Sequence, residues 1–220
     1  MSLLSQTSAL IKREFLQEQR QRYALFGVLL YVVSTIFIGR FAFKSINDVP
    51  VWNALFWTIL LFSTVIGVAR SFNQETRGRM LYLYFMADPR AVLLSKTIYN
   101  VVLMLGLGYA GYAFYSILIG NLVANPALFL AVLSVGCMGL AVVFTMISAI
   151  ASRAGNNFTL MSILGFPVII PMLMLIIRLS KIAADGTEAP VTWTYFGVLA
   201  IMNVLVFVLA WILFPYLWRD

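Results

Sequence analysis

The sequence predicts an all-α, polytopic membrane protein, and three observations support that fold class. Six apolar stretches fill most of the 220 residues, each long enough to cross a hydrocarbon core of ~30 Å at ~1.5 Å per helical residue. Each is nearly free of charge, whereas a soluble amphipathic helix keeps a charged outer face. Composition agrees, since 62% apolar residues, 10% charged residues and a mean hydropathy of +0.96 leave little chain for a water-soluble domain.

Residues 1–22 precede the first span. Leu4, Ile11 and Phe15 recur at spacings of seven and four, with Leu3 and Leu10 beside them, while Lys12, Arg13, Glu14, Gln17 and Arg20 occupy much of the remaining surface. That phasing predicts an interfacial helix lying on the inner leaflet, with a solvated tail as the alternative. A signal peptide is not expected, because Glu14 and Glu18 lie among the bases and the following apolar run is too long. The six-helix region, residues 23–220, places its spans at about 23–43, 51–69, 97–120, 127–151, 158–177 and 193–217.

Orientation follows from the basic residues. With the amino terminus cytoplasmic, eleven bases fall inside, from Lys12 to Arg219, and only Arg40, Lys44, Arg178 and Lys181 fall outside. This positive-inside bias puts both termini in the cytoplasm. The net charge of +7 is thus spread over span ends, and no nucleic-acid partner is expected.

Chemistry is constrained by what is missing. The chain has no histidine and one cysteine, Cys137. The usual zinc, iron–sulfur and bis-histidine haem donors are therefore lacking, as are Ser-His-Asp and Cys-His nucleophilic arrangements. No G-x-x-x-x-G-K-[ST] loop occurs, so ATP binding of the P-loop kind is excluded and no enzyme activity is expected of this chain.

The segment 71–95 between spans two and three is the most informative. It starts polar, Ser71-Phe-Asn-Gln-Glu-Thr-Arg-Gly-Arg79, turns aromatic through Tyr82, Tyr84 and Phe85, and breaks at Asp88-Pro89 before re-entering the membrane after Lys96. Gly78 interrupts and Pro89 ends whatever precedes it. A short amphipathic helix lying flat would serve a permease that docks on a separate ATPase, with Glu75, Arg77, Arg79 and Asp88 supplying ion pairs. An ordinary charged loop is the alternative.

Within the spans, Cys137, Ala141, Thr145 and Ala149 form a small-residue stripe, and Gly106 with Ala110 a shorter one. Such stripes allow close helix approach, within the chain or across a dimer seam. Pro167 and Pro171 should kink or break the fifth span, which makes it a candidate moving or pathway-lining element. Ser152 to Asn157 forms a tight turn in which Arg153 and Asn156 offer a second docking point or a plain connector. Arg178 and Lys181 are expected to snorkel to headgroups, or to meet an anionic substrate.

These features together resemble the CcmB family, the membrane subunit of the cytochrome c maturation ABC transporter, also described as a haem exporter. The resemblance rests on the amphipathic start, Arg70-Ser-Phe-Asn-Gln-Glu-Thr-Arg-Gly-Arg79, the Pro89 followed by Leu-Leu-Ser-Lys96, and Leu164-Gly-Phe-Pro-Val-Ile-Ile-Pro171. It covers essentially the whole chain and implies a type-2 ABC permease half. Such a half dimerises, docks on a CcmA-like ATPase and works beside CcmC-like and CcmE-like haem-handling proteins. By position the docking helix falls on Glu75, Thr76, Arg77, Gly78 and Arg79. Many members carry an acidic residue directly before that glycine and a glutamate three residues after it. Here Arg77 and Leu81 stand there, so the ion pairs with the ATPase must differ.

No cofactor is expected on this chain itself. Without histidine it offers haem no imidazole, and the sequence singles out no tyrosine or methionine as a substitute. Two mechanisms stay open: outward movement of haem, or ATP-driven release of the haem-loaded chaperone. Other functions to separate are a permease of the same fold for a lipid, glycan or drug, and a scaffold coupled to no ATPase.

Overall fold

The protein is represented by a computed structural model that describes residues 3–20, 22–43, 46–73, 87–153, 158–187 and 190–219. Among these residues the chain forms seven helices and no strand. They are α1 (Leu3–Arg20), α2 (Arg22–Ala42), α3 (Val49–Asn73), α4 (Pro89–Leu118), α5 (Pro126–Arg153), α6 (Phe158–Asp185) and α7 (Val191–Arg219). Five of them, α3 to α7, are long and apolar enough to cross a membrane. The expected first span, α2, is apolar over the shorter stretch Phe26–Ala42.

The centre of the bundle is α5, which packs against α3, α4, α6 and α7. Its small residues explain how one helix serves four neighbours. The stripe Cys137, Ala141, Thr145 and Ala149 is buried within this chain, so it is an intramolecular packing face and not a dimer seam. On other sides, a Cβ at Gly136 would come within 2.8 Å of the Trp57 ring, and one at Gly139 would collide with Met172 and Asn203. Lipid tails supply no hydrophobic drive between helices, so close backbone approach of this kind is a main source of cohesion.

Polar bridges fix which faces meet. Asn100 Nδ2 donates to Thr145 Oγ1 at 2.9 Å and joins α4 to α5. Trp57 Nε1 donates to Ser180 Oγ, and Asn53 Nδ2 to the Ile177 carbonyl, each at 2.9 Å, joining α3 to α6. Asn203 Nδ2 donates to the Val135 carbonyl at 3.1 Å, joining α7 to α5. A bridge of this kind typically contributes about 0.6 kcal/mol in a membrane, so its main effect is to select one helix rotation over others.

At the end of the bundle remote from α1, aromatic rings seal the fold. Trp52 stacks on Phe56 and meets Tyr115 and Phe129 edge-on. Tyr115 Oη donates to the Trp52 carbonyl, and Trp52 Nε1 to the Gly120 carbonyl, both at 2.9 Å. Gly120, at φ +112°, turns the chain after α4 in a region that disfavours side chains. Ala124 N and Asn125 N then donate to the Ala184 and Ala183 carbonyls, which ties this turn to the end of α6.

Of the kink or break that the sequence leads one to expect at Pro167 and Pro171, the break does not occur, since the helical backbone of α6 runs through both. Both prolines lie on the exposed side of α6, near the exposed Phe166, Ile170 and Met174. The donors they lack are therefore missing on an outer face and not in the packed core. Arg178 and Lys181 are exposed further along the same helix.

Candidate functional site

The feature most unlike simple helix packing lies where α1 meets the head of α4. The sequence places re-entry into the membrane after Lys96, but α4 already begins at Pro89. Pro89 therefore opens a helix as well as following a break, at the first helical position, where its missing N–H costs nothing. Asp88 caps that helix, its Oδ1 accepting from Arg90 N at 2.9 Å while its carbonyl accepts from Ala91 N and Val92 N. Lys96 consequently sits inside helical structure and is buried.

The buried ammonium has a partner. Lys96 Nζ lies 3.2 Å from Glu14 Oε1, with the two side chains 3% and 11% exposed. The pair joins α4 to α1, and the two helices pack along their length. Thr7 is buried and Leu10 packs on a cluster formed by Val92, Leu93, Ala149, Ala210 and Phe214. Leu3, Thr7, Leu10 and Glu14 fall at i, i+4, i+7 and i+11, the spacing of one helix face. So α1 turns a face containing Glu14 toward the bundle and leaves Leu4 and Leu16 exposed. It is docked on protein as well as amphipathic.

Three further contacts hold the same corner. Asp88 N donates to Gln6 Oε1 at 3.2 Å, so α1 also touches the residue that ends the segment preceding α4. The Arg90 guanidinium stands 5.5 Å from the centre of the Trp211 ring, linking the head of α4 to α7. Phe15 and Tyr99 meet edge to face at 5.3 Å. Beside that contact opens a cavity of about 550 Å³ between α1, α2 and α4, with Glu18 and Tyr99 in its wall. Gly106 and Ala110, which in sequence suggest a packing stripe, line this cavity instead, and nothing lies within 4 Å of a Cβ placed at Gly106.

Of the residues singled out by sequence, Asp88 and Pro89 belong to this corner. Glu75, Arg77, Gly78 and Arg79, with Tyr82, Tyr84 and Phe85, lie outside the described residues. Asn156 also lies outside them, and so does the side chain of Arg153, which ends α5. Pro167 and Pro171 stand on α6, which is not one of the helices that α1 packs on. Sequence reasoning missed Glu14, Gln6 and Tyr99, and left Lys96 in the loop. A lysine flanked by Leu93, Leu94, Thr97 and Ile98 was the available signal. Among the described residues no three His, Cys, Asp or Glu side chains gather as a metal site.

This arrangement is a joint: a helix clamped by charge and packing to the start of α4, directly after segment 74–86. The family described as CcmB protein matches residues 5–216, which takes in most of α1, that segment, α2 to α6 and most of α7. The chain belongs to the CcmB family. Membership implies a membrane subunit of a haem-export ABC system, associated with the ATPase CcmA and other Ccm proteins. No curated protein matches the chain. In CcmB terms, the Glu14–Lys96 joint borders the segment in which the resemblance puts the ATPase-docking helix.

Proposed function

We propose that this CcmB chain is the permease half of an ABC complex acting in cytochrome c maturation, with ATP hydrolysed on a separate CcmA-like subunit. Six spans, α2 to α7, cross a bacterial inner membrane with both termini cytoplasmic. The eleven-to-four distribution of basic residues supports that orientation. Two copies form the membrane core beside CcmC-like and CcmE-like proteins, and no cofactor is held by this chain. Glu75, Arg77, Gly78 and Arg79 contact the ATPase, with Arg153 and Asn156 as a second contact.

The observation that carries the proposal is the family match across residues 5–216, combined with the joint that follows the docking segment. A displacement of segment 74–86 passes through Asp88 to the first turn of α4. The Gln6 and Glu14 contacts share it with α1, and the Arg90–Trp211 contact shares it with α7. In this scheme the stroke drives release of the haem-loaded chaperone, and haem does not pass through this chain. The chain's lack of histidine favours that version over haem conduction.

The test is a haem-stained denaturing gel of membranes from a strain lacking the gene, with and without a rescuing copy. Covalently attached haem survives denaturation, so c-type cytochromes report directly. Bands that vanish and return with the copy support the proposal, while bands that persist refute it. Purified complex that moves haem into sealed vesicles would overturn the release mechanism and leave the pathway assignment standing.

A further inference from the structure

We propose that the cavity between α1, α2 and α4 binds an amine-headed phospholipid, a phosphatidylethanolamine of the surrounding membrane, by its head and one acyl chain. Its volume of about 550 Å³ falls in the ~300–1,000 Å³ range of ligand sites. The wall is apolar along α4 from Val102 to Ala110, and across from it on Phe26 and Leu29 of α2. Phe26, Val102 and Gly106 are all exposed, so the cavity opens on the side of the bundle that a bilayer would cover. From Tyr99 to Ala110 the helix rises about 16 Å. That is about half of a ~30 Å hydrocarbon core, the reach of one acyl chain within a leaflet.

The polar end selects the head. Tyr99 is 7% exposed, yet its hydroxyl makes no hydrogen bond. A buried hydroxyl without a partner is costly, and a ligand that supplies one removes that cost. The Glu18 carboxylate stands close enough to bear on this hydroxyl by charge and as an acceptor, short of full hydrogen-bond geometry. Glu14 is held by Lys96, whereas no cation among the described side chains pairs with Glu18. An ammonium group placed here donates to Glu18, and the Tyr99 hydroxyl donates to a phosphate oxygen beside it. A lipid with an anionic head puts its phosphate next to Glu18 and brings no ammonium of its own to offset the repulsion. Haem meets the same obstacle through its two propionates, and a phenolate ligand at Tyr99 would stand beside two carboxylates.

The experiment isolates the intact membrane complex from mixtures of phosphatidylethanolamine and phosphatidylglycerol with identical chains, and counts retained lipids by native mass spectrometry. Wild-type complex is expected to retain phosphatidylethanolamine over phosphatidylglycerol by about tenfold, the discrimination expected of one charge-assisted hydrogen bond. Glu18→Gln should bring that ratio toward about one. Gly106→Phe, which fills open space, should abolish retention of both lipids. Equal retention of the two lipids by wild type overturns the proposal. So does retention that survives Gly106→Phe, or added haem that binds to wild type in place of the lipid and is lost with Gly106→Phe. Glu18→Gln alters only a partly exposed side chain, so its result stands even if the phenylalanine variant folds poorly.

Discussion

Replacing Lys96 by methionine should release α1 from the bundle. The ammonium is 3% exposed and lies 3.2 Å from Glu14, itself 11% exposed. Removing one member of a buried pair commonly costs about 3–5 kcal/mol, because the other charge is left without compensation. Here the loss has a ceiling. Helix α1 is a separate element, and by undocking it returns Glu14 to water while giving up the Thr7 and Leu10 packing and the Phe15–Tyr99 contact. That ring contact contributes about 0.5–1.5 kcal/mol beyond its buried area. The perturbation should therefore appear as local opening of α1, with the five long spans intact. Hydrogen exchange over residues 3–20 measures this, and amides in Lys96→Met should exchange about a hundredfold faster than in wild type, the factor for about 3 kcal/mol. The double variant Glu14→Leu with Lys96→Met removes both charges and should recover most of the protection. If the single variant leaves exchange unchanged, or the double variant is as open as the single, the ion pair does not hold the joint.

Two further outcomes follow from the same geometry. Asp88→Ala should fray the first turn of α4 by about 1 kcal/mol through loss of its cap, seen as faster exchange at Ala91 and Val92. Asp88→Asn, which keeps the cap, separates this role from charge: if it preserves folding but lowers ATPase association, Asp88 also contacts the partner. Gly139→Ala should destabilise the bundle by about 1–3 kcal/mol, because its methyl meets Met172 and Asn203. Unfolding in mixed micelles checks this, and a Gly139→Ala protein as stable as wild type would mean that α6 and α7 are not packed on α5 in this way.

The spans were legible in the sequence because a bilayer imposes a one-dimensional rule: enough consecutive apolar residues, few charges, and bases at the ends. The small stripe of α5 was legible for a similar reason, since helical period places its residues on one face, whereas in α1 the expected apolar side leaves Leu4 and Phe15 exposed and the side through Thr7 and Leu10 meets the bundle. That stripe also shows where the rule stops. Small residues permit close approach to any helix, and only the packed bundle assigns Cys137, Ala141, Thr145 and Ala149 to neighbours within the chain. Gly106 and Ala110 share the pattern and face a cavity. The prolines of α6 carry the same lesson, because whether a missing donor breaks a helix depends on what its surroundings can accommodate.

The joint was hidden for a different reason. Glu14 and Lys96 are 82 residues apart, and each taken alone looks like a charge at a membrane surface. Charge composition and helical period along the chain determined that this is a multi-span membrane protein with an amphipathic leading helix. Only tertiary structure decided that the leading helix turns a carboxylate inward to a buried ammonium. Pairing across such a separation depends on how two helices rotate and cross, which no local pattern of residues encodes.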